Sequence, residues 1–238
     1  MQKLHIITPV KDSWETTRQT VEAIAQSEIL VDYVYTIYND FSSDETTAAL
    51  VEITKKHEFE LINLASVTDH PSPNYLLILQ LAQQRAVAEN AHLLIVESDV
   101  VIEKNTIQKL MDALQNSERI GMVASVTVDK EGVVNFPYLY AQNYSLKDVE
   151  TKKRLSFCCT VLSAPFLKIF DFKTLNPEKS WYDVFISHQS LELGFKNCLL
   201  MTAPVLHQPH SSRPWKQLKY THPLKYYWLK YTKGLDKI

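Results

Sequence analysis

Glycine is nearly missing from this chain. Four occur in 238 residues, about a quarter of ordinary usage. Turns that usually rely on glycine must therefore be built from residues that carry a Cβ. A glycine-rich phosphate loop is excluded as well. The segment after the first apolar stretch, Pro9-Val10-Lys11-Asp12, has one lysine and no glycine. That counts against a nucleotidyltransferase that would cradle a triphosphate there. Cysteine is scarce too: three, two of them adjacent at Cys158 and Cys159. This count gives neither an even disulfide framework nor a metal-type spacing, and it fits a reducing compartment. No apolar run approaches the roughly 18 residues of a membrane span, and no signal peptide is read at the start. The expected location is cytoplasmic. A net charge of −2 gives no reason to expect a nucleic-acid partner.

What is present is ordinary for a globular protein: 45% hydrophobic and 22% charged residues. The most informative stretch is Leu93-Leu94-Ile95-Val96-Glu97-Ser98-Asp99-Val100-Val101. Its apolar run predicts a buried strand. Two carboxylates two residues apart on extended backbone point to one side. Holding two buried anions together is costly without a cation or donors to meet them, and a divalent ion suits all-oxygen partners. Two solvated acids at a strand-to-helix turn is the plainer alternative.

Around this stretch the pattern alternates. Strands are predicted over residues 4–8, 33–38, 59–64 and 120–128, and helices over 16–27, 45–57, 75–90 and 105–116. Either Ser43 or Asp44 can cap the second helix. Such β-α alternation predicts an α/β fold, a single Rossmann-like domain with a mostly parallel sheet and helices on both faces. Ligands of such sheets bind beyond the carboxyl ends of the strands. Residues 9–12, 39–44 and 97–99 all sit at such ends. Further on, an edge strand is expected over 132–137, an aromatic loop over 138–154, a strand over 156–163 and a short helix over 164–170. A helix over 183–193 and a last strand over 197–202 follow. The organisation read here is one domain over 1–210 and a basic, aromatic tail over 211–238. The tail carries Trp215, Tyr220, Tyr226, Tyr227, Trp228 and Tyr231. It suits either a closing helix or contact with a membrane surface, which would make the protein peripheral at the inner face.

Four segments, in order, resemble the family-two glycosyltransferases of the GT-A fold. Ile6-Ile7-Thr8-Pro9-Val10 looks like the family's opening strand and loop. Asn39-Asp40-Phe41-Ser42-Ser43-Asp44-Glu45-Thr46 is similar to its Asp-Asp-Gly-Ser-x-Asp-x-Thr turn. Glu97-Ser98-Asp99 looks like its Asp-x-Asp metal motif. Trp181-Tyr182-Asp183, eleven residues before Gly194, resembles its acidic-pair helix. Asn39, Phe41, Glu97 and Tyr182 depart from the family pattern.

The resemblance implies a metal-dependent, inverting transfer from a nucleotide diphosphate sugar, with UDP-sugars favoured, to a hydroxyl of a saccharide or lipid-linked acceptor. It implies nucleotide contacts from Thr8, Pro9, Val10, Asp40, Glu97 and Ser98. Asp40, which would meet the base or ribose, can equally be a turn or cap residue. It implies Asp99 and His207 as ligands of Mn²⁺ or Mg²⁺, one imidazole slightly favouring manganese. His210 competes with His207 for that role. It implies Asp183 as general base, a role compatible with capping its helix. Trp181 and Tyr182 would stack on the acceptor, or else pack over the helix start. A non-catalytic binder of the same fold is the alternative.

Overall fold

A computed structural model describes residues 2–115, 119–179, 181–208, 218 and 222–232. Among the described residues, nine strands form one sheet. In chain order they are β1 (Leu4–Val10), β2 (Tyr33–Asn39), β3 (Glu60–Asn63), β4 (His92–Val96), β5 (Val100–Val101), β6 (Ile120–Val128), β7 (Val149–Glu150), β8 (Cys159–Leu162) and β9 (Lys196–His207). Their spatial order is β3-β2-β1-β4-β8-β6-β9-β5, with β7 on β9. The α/β architecture is as expected, but the sheet is mixed. The β1–β2, β1–β4, β2–β3 and β6–β9 pairs are parallel. The β4–β8, β6–β8, β5–β9 and β7–β9 pairs are antiparallel.

Among the described residues, six α-helices accompany the sheet, α1 (Trp14–Ala25), α2 (Asp44–His57), α3 (Tyr75–Ala88), α4 (Thr106–Gln115), α5 (Ala164–Ile169) and α6 (Tyr182–Glu192), and α7 (Pro223–Thr232) lies in the tail. Alternation along the strands divides the core in two. Leu94 and Val96 point to the side of α1, α2 and α4, where Val21, Ile24, Leu50, Ile53, Ile107 and Leu110 are buried. Leu93 and Ile95 point to the side of α3, α5 and α6, where Ile78, Leu79, Phe166, Leu167 and Ile186 are buried. Each fully buried Leu or Ile contributes about 1.5–3 kcal/mol.

Two polar knots fix helices to this frame. Gln83 of α3 donates to the carbonyls of Leu167 (3.0 Å) and Phe170 and accepts from Phe172 N–H (2.7 Å). Asn197, at the start of β9, is fully buried. It accepts from Ser190 Oγ at 2.7 Å and donates to Ser187 O at 2.9 Å, both on α6. Ser187 Oγ donates to Asp183 O (2.7 Å) and accepts from Leu155 N–H (2.9 Å). Helix α6 is thereby clamped to β9.

The apolar run of residues 93–101 is not one strand. After Val96 the chain leaves the β1–β4–β8 ladder, and Val100 and Val101 pair instead with His207 and Leu206 of β9. Strand β1 continues through Pro9 and Val10, which pair with Tyr38 and Asn39. The expected edge strand over 132–137 reduces to a single bridge, Val128–Val134. The missing glycines are replaced by strained backbone. Asp12, Ser13, Phe41, Glu58 and Asn90 all have positive φ, each at a cost of order 1 kcal/mol or more.

Candidate active site

The carboxyl ends of β1, β2 and β4 meet at one edge, as the sequence predicts. The turn after β2 shows how this is built without glycine. Phe41 takes φ 57°, and its carbonyl receives Lys11 Nζ. Asp12 Oδ1 accepts from Ser43 N–H and Asp12 N–H donates to Ser42 Oγ, both at 2.8 Å. The Ser43 N–H, and after it the Lys11 ammonium, hold the Asp12 carboxyl below its usual range. Ser43, not Asp44, caps α2. Asn39 donates to Thr47 Oγ1 (2.9 Å) and Asn63 Oδ1 (2.8 Å), so it braces the turn.

Asp40 is buried, and its carboxylate is already engaged. Oδ2 accepts from Ser72 Oγ (2.7 Å) and Asn74 N–H (2.8 Å), and Oδ1 accepts from Asn74 Nδ2 (2.8 Å). The segment before α3 hangs on this group. Thr8 is likewise turned inward: fully buried, it accepts from Tyr35 O–H at 2.8 Å. Val10 lies in the core and Pro9 is half-buried. Neither Thr8 nor Val10 offers its side chain to a ligand. The alternation of β1 turns them toward the core, which the residue types alone do not reveal.

The acid pair behaves differently. Asp99 is 8% exposed. Its Oδ1 is buried with no hydrogen-bond partner, and Oδ2 lies 3.6 Å from His207 Nε2. His207 is buried at the end of β9, and its Nδ1 sits 2.7 Å from Phe136 O. A carbonyl only accepts, so Nδ1 carries the hydrogen, and neutral imidazole leaves the Nε2 lone pair facing the acids. Burial works against protonating His207, but the Asp99 and Glu97 carboxylates outweigh it and raise its pKa. The Glu97 carboxyl is pushed up to about 7, first by desolvation and then by the Asp99 charge. Cys158 Sγ donates to Glu97 Oε2 at 3.3 Å. Donor atoms of Glu97, Cys158 and His207 all lie within 4.8 Å of one another. Ser98 is buried between the two acids.

This donor set fits a divalent cation. Two carboxylates raise each other's energy, one carboxylate oxygen lacks a partner, and an imidazole nitrogen is aimed at them by a carbonyl. Glu97 joins His207 more closely than the sequence reading has it. Cys158 was missed altogether, because it reaches the site from the segment before the antiparallel strand β8, far along the chain from Glu97. His210, the competing imidazole, lies outside the described residues.

Asp183 is in the first turn of α6, and its charge raises the pKa of both Glu97 and Tyr75. It therefore shares the field of the acid pair. Tyr75, at the start of α3, was also missed, since it reads as an ordinary first residue of a helix. Its hydroxyl is buried without a hydrogen-bond partner. Burial, then the Glu97 and Asp183 charges, hold it well above the usual phenol range. Tyr182 is buried and stacks on Tyr75 with ring centroids 6.4 Å apart, so it packs over the helix start. Trp181 lies under the Arg154 guanidinium at 5.7 Å.

An α/β sheet with a donor set that fits a cation at its strand ends is the arrangement of a GT-A glycosyltransferase fold. The sequence matches the family model described as Glycosyl transferase family 2 over residues 5–171, well over half the chain. The chain belongs to that family. Asp183 and His207 lie beyond the matched residues. Similar solved structures include these three. One is the mannosyltransferase PcManGT from Pyrobaculum calidifontis in complex with GDP-Man and Mn²⁺, with TM-score 0.66 and 12% identity, covering 94% of this chain and 62% of that one. Another is S. aureus TarS 1–349, with TM-score 0.65 and 15% identity, covering 87% and 60%. The third is GalNAc-T7 with UDP, GalNAc and Mn²⁺, with TM-score 0.64 and 11% identity, covering 87% and 44%. The chain spans 44% to 62% of the length of these proteins. A comparison with curated proteins finds no match.

Proposed function

We propose that this protein transfers a sugar, with inversion, from a nucleotide diphosphate sugar to a hydroxyl of a saccharide or lipid-linked acceptor, using a divalent cation. The observation that carries this reading is the buried Asp99, with an unpartnered Oδ1, facing a carbonyl-oriented His207 at the strand ends of a family-two chain. Glu97, Asp99 and His207 are the residues that would hold the cation. When bound, it supplies positive charge against the diphosphate as the nucleotide leaves. UDP is the favoured nucleotide, and manganese or magnesium the expected ion.

Asp183 is assigned the proton of the attacking hydroxyl. It stands at the N-terminal turn of α6, close enough to the acid pair for its charge to act on Glu97, and a carboxylate there can take a proton from a bound hydroxyl. One displacement by the activated hydroxyl gives one inversion. Tyr75, with its unpartnered hydroxyl, is placed to donate to a substrate oxygen. Asp40 contributes to the donor site through the Ser72–Asn74 segment it holds. Trp181 remains the candidate platform for an acceptor sugar. Calorimetry tests the core of the proposal: UDP affinity should rise on adding Mn²⁺ and fall on chelation. Equal affinity under both conditions would refute the cation's role.

A second reading concerns location. On α7, Leu224, Tyr227, Trp228 and Tyr231 are exposed beside Lys225 and Lys230, a composition suited to an anionic membrane surface. Trp215 and Tyr220 of the same tail lie outside the described residues. No described helix is long and apolar enough to cross a membrane. Salt-sensitive co-sedimentation with anionic vesicles would support this contact, and failure to sediment at low salt would refute it.

A further inference from the structure

We infer that Cys158 is a ligand of the cation site, and that the site therefore takes a borderline-soft ion, zinc, ahead of magnesium. The thiol is buried. Its sulfur lies 3.3 Å from Glu97 Oε2 and 3.5 Å from Ser156 Oγ. With Glu97 and His207 it forms a carboxylate–thiol–imidazole group whose donor atoms fit within 4.8 Å. Around one tetrahedral zinc such atoms stand roughly 3.5 Å apart, so the group has to close by about 1 Å. Two observations independent of the cysteine bear on the same place. Asp99, 8% exposed, has a buried Oδ1 with no hydrogen-bond partner while its Oδ2 lies 3.6 Å from His207 Nε2, and Phe136 O orients the His207 ring. Magnesium prefers six oxygens and retains its waters, whereas zinc accepts sulfur, nitrogen and oxygen together. Coordination replaces the S–H bond by an S–metal bond, and the proton passes to buffer. The inference rests on the reading of these strand ends as a cation site and does not require sugar transfer.

Cobalt is the probe, since a thiolate bound to it gives a near-ultraviolet charge-transfer band. Wild-type protein titrated with Co²⁺ should show that band. A stoichiometric amount of Zn²⁺ should remove it, while a roughly thousandfold excess of Mg²⁺ should not. Cys158→Ser should still bind Co²⁺, at least about tenfold more weakly, and without the band. Should that variant fail to fold, X-ray absorption on zinc-loaded wild type decides: a sulfur scatterer at about 2.3 Å is expected. Bound cobalt with no charge-transfer band, or bound zinc with only nitrogen and oxygen neighbours, would overturn the role of Cys158 and leave the cation site standing. No binding of Co²⁺, Zn²⁺ or Mn²⁺ would overturn both.

Discussion

Replacing Asp40 by alanine should destabilise the free protein strongly. Three donors converge on this carboxylate: Ser72 Oγ at 2.7 Å, Asn74 N–H at 2.8 Å and Asn74 Nδ2 at 2.8 Å. A hydrogen bond to a charged group is worth about 1.5–3 kcal/mol, but the three do not simply add. Ser72 is only half-buried and can turn to water. Asn74 Nδ2 keeps a second acceptor, His70 O, at 3.0 Å. The Asn74 N–H has no such recourse and stays buried without a partner, costing about 1–3 kcal/mol. Relief of the carboxylate's own desolvation offsets part of the loss. The net expectation is about 2–4 kcal/mol, or roughly 5–15 °C in Tm for a chain of this size. Asp40→Asn should cost about half as much, because one oxygen can still serve Ser72 and the Asn74 N–H. Urea unfolding of the three proteins, read as midpoint shifts at constant slope, measures this. An alanine variant as stable as wild type, with lost UDP affinity, would refute the reasoning and return Asp40 to direct nucleotide binding.

Gly121→Ala should cost about 1–3 kcal/mol by overpacking, since the added Cβ would meet Ser190 Oγ at 2.2 Å and Phe195 Cβ at 2.9 Å. Ser190→Ala in the same chain should recover part of that loss, which thermal denaturation will show. Asp183→Asn should leave donor binding intact and slow transfer by roughly 10²–10⁴; full retained activity would mean another group is the base. The Glu97 carboxyl, raised to about 7, contributes stability to the metal-free protein that is present below its ordinary value of 4.5 and is lost as pH rises through about 7. Metal binding needs the ionised form, so the Tm gained on adding Mn²⁺, measured against chelator, should grow from pH 5.5 to 8. A gain independent of pH would remove Glu97 from the site.

The first half of the sheet was legible because local periodicity carries it. The β-α alternation through Val128 needs only neighbours in sequence, and the three strand ends follow from it. The antiparallel insertion of β8 between β4 and β6 does not, since its pairing with Leu93–Val96 links segments far apart in the chain. That insertion brings Cys158 to Glu97 and, with the antiparallel β5–β9 and β7–β9 pairs, makes the sheet mixed. The length of β9 was hidden for another reason. Pro204 has no N–H to give a ladder and reads as a strand end. Here it falls where the β6–β9 register jumps from Ser125↔Leu200 to Thr127↔Val205, so the strand runs on to His207. Asp99 was read from acid-x-acid after an apolar run, a local signal, whereas His207 was implied by the family resemblance; their side chains lie 3.6 Å apart. The inward turn of Thr8 and the engagement of Asp40 are side-chain facts that a pattern of residue types does not contain.

The clamp of α6 on β9 has a mechanical consequence. Asn197 fixes one end of the twelve-residue strand to the helix that begins at Asp183, and His207 is the strand's other end. An extended strand in a sheet resists stretching and bending in its plane, so it acts as a strut of fixed length. The base candidate and the candidate imidazole ligand are thus mounted on a single rigid part.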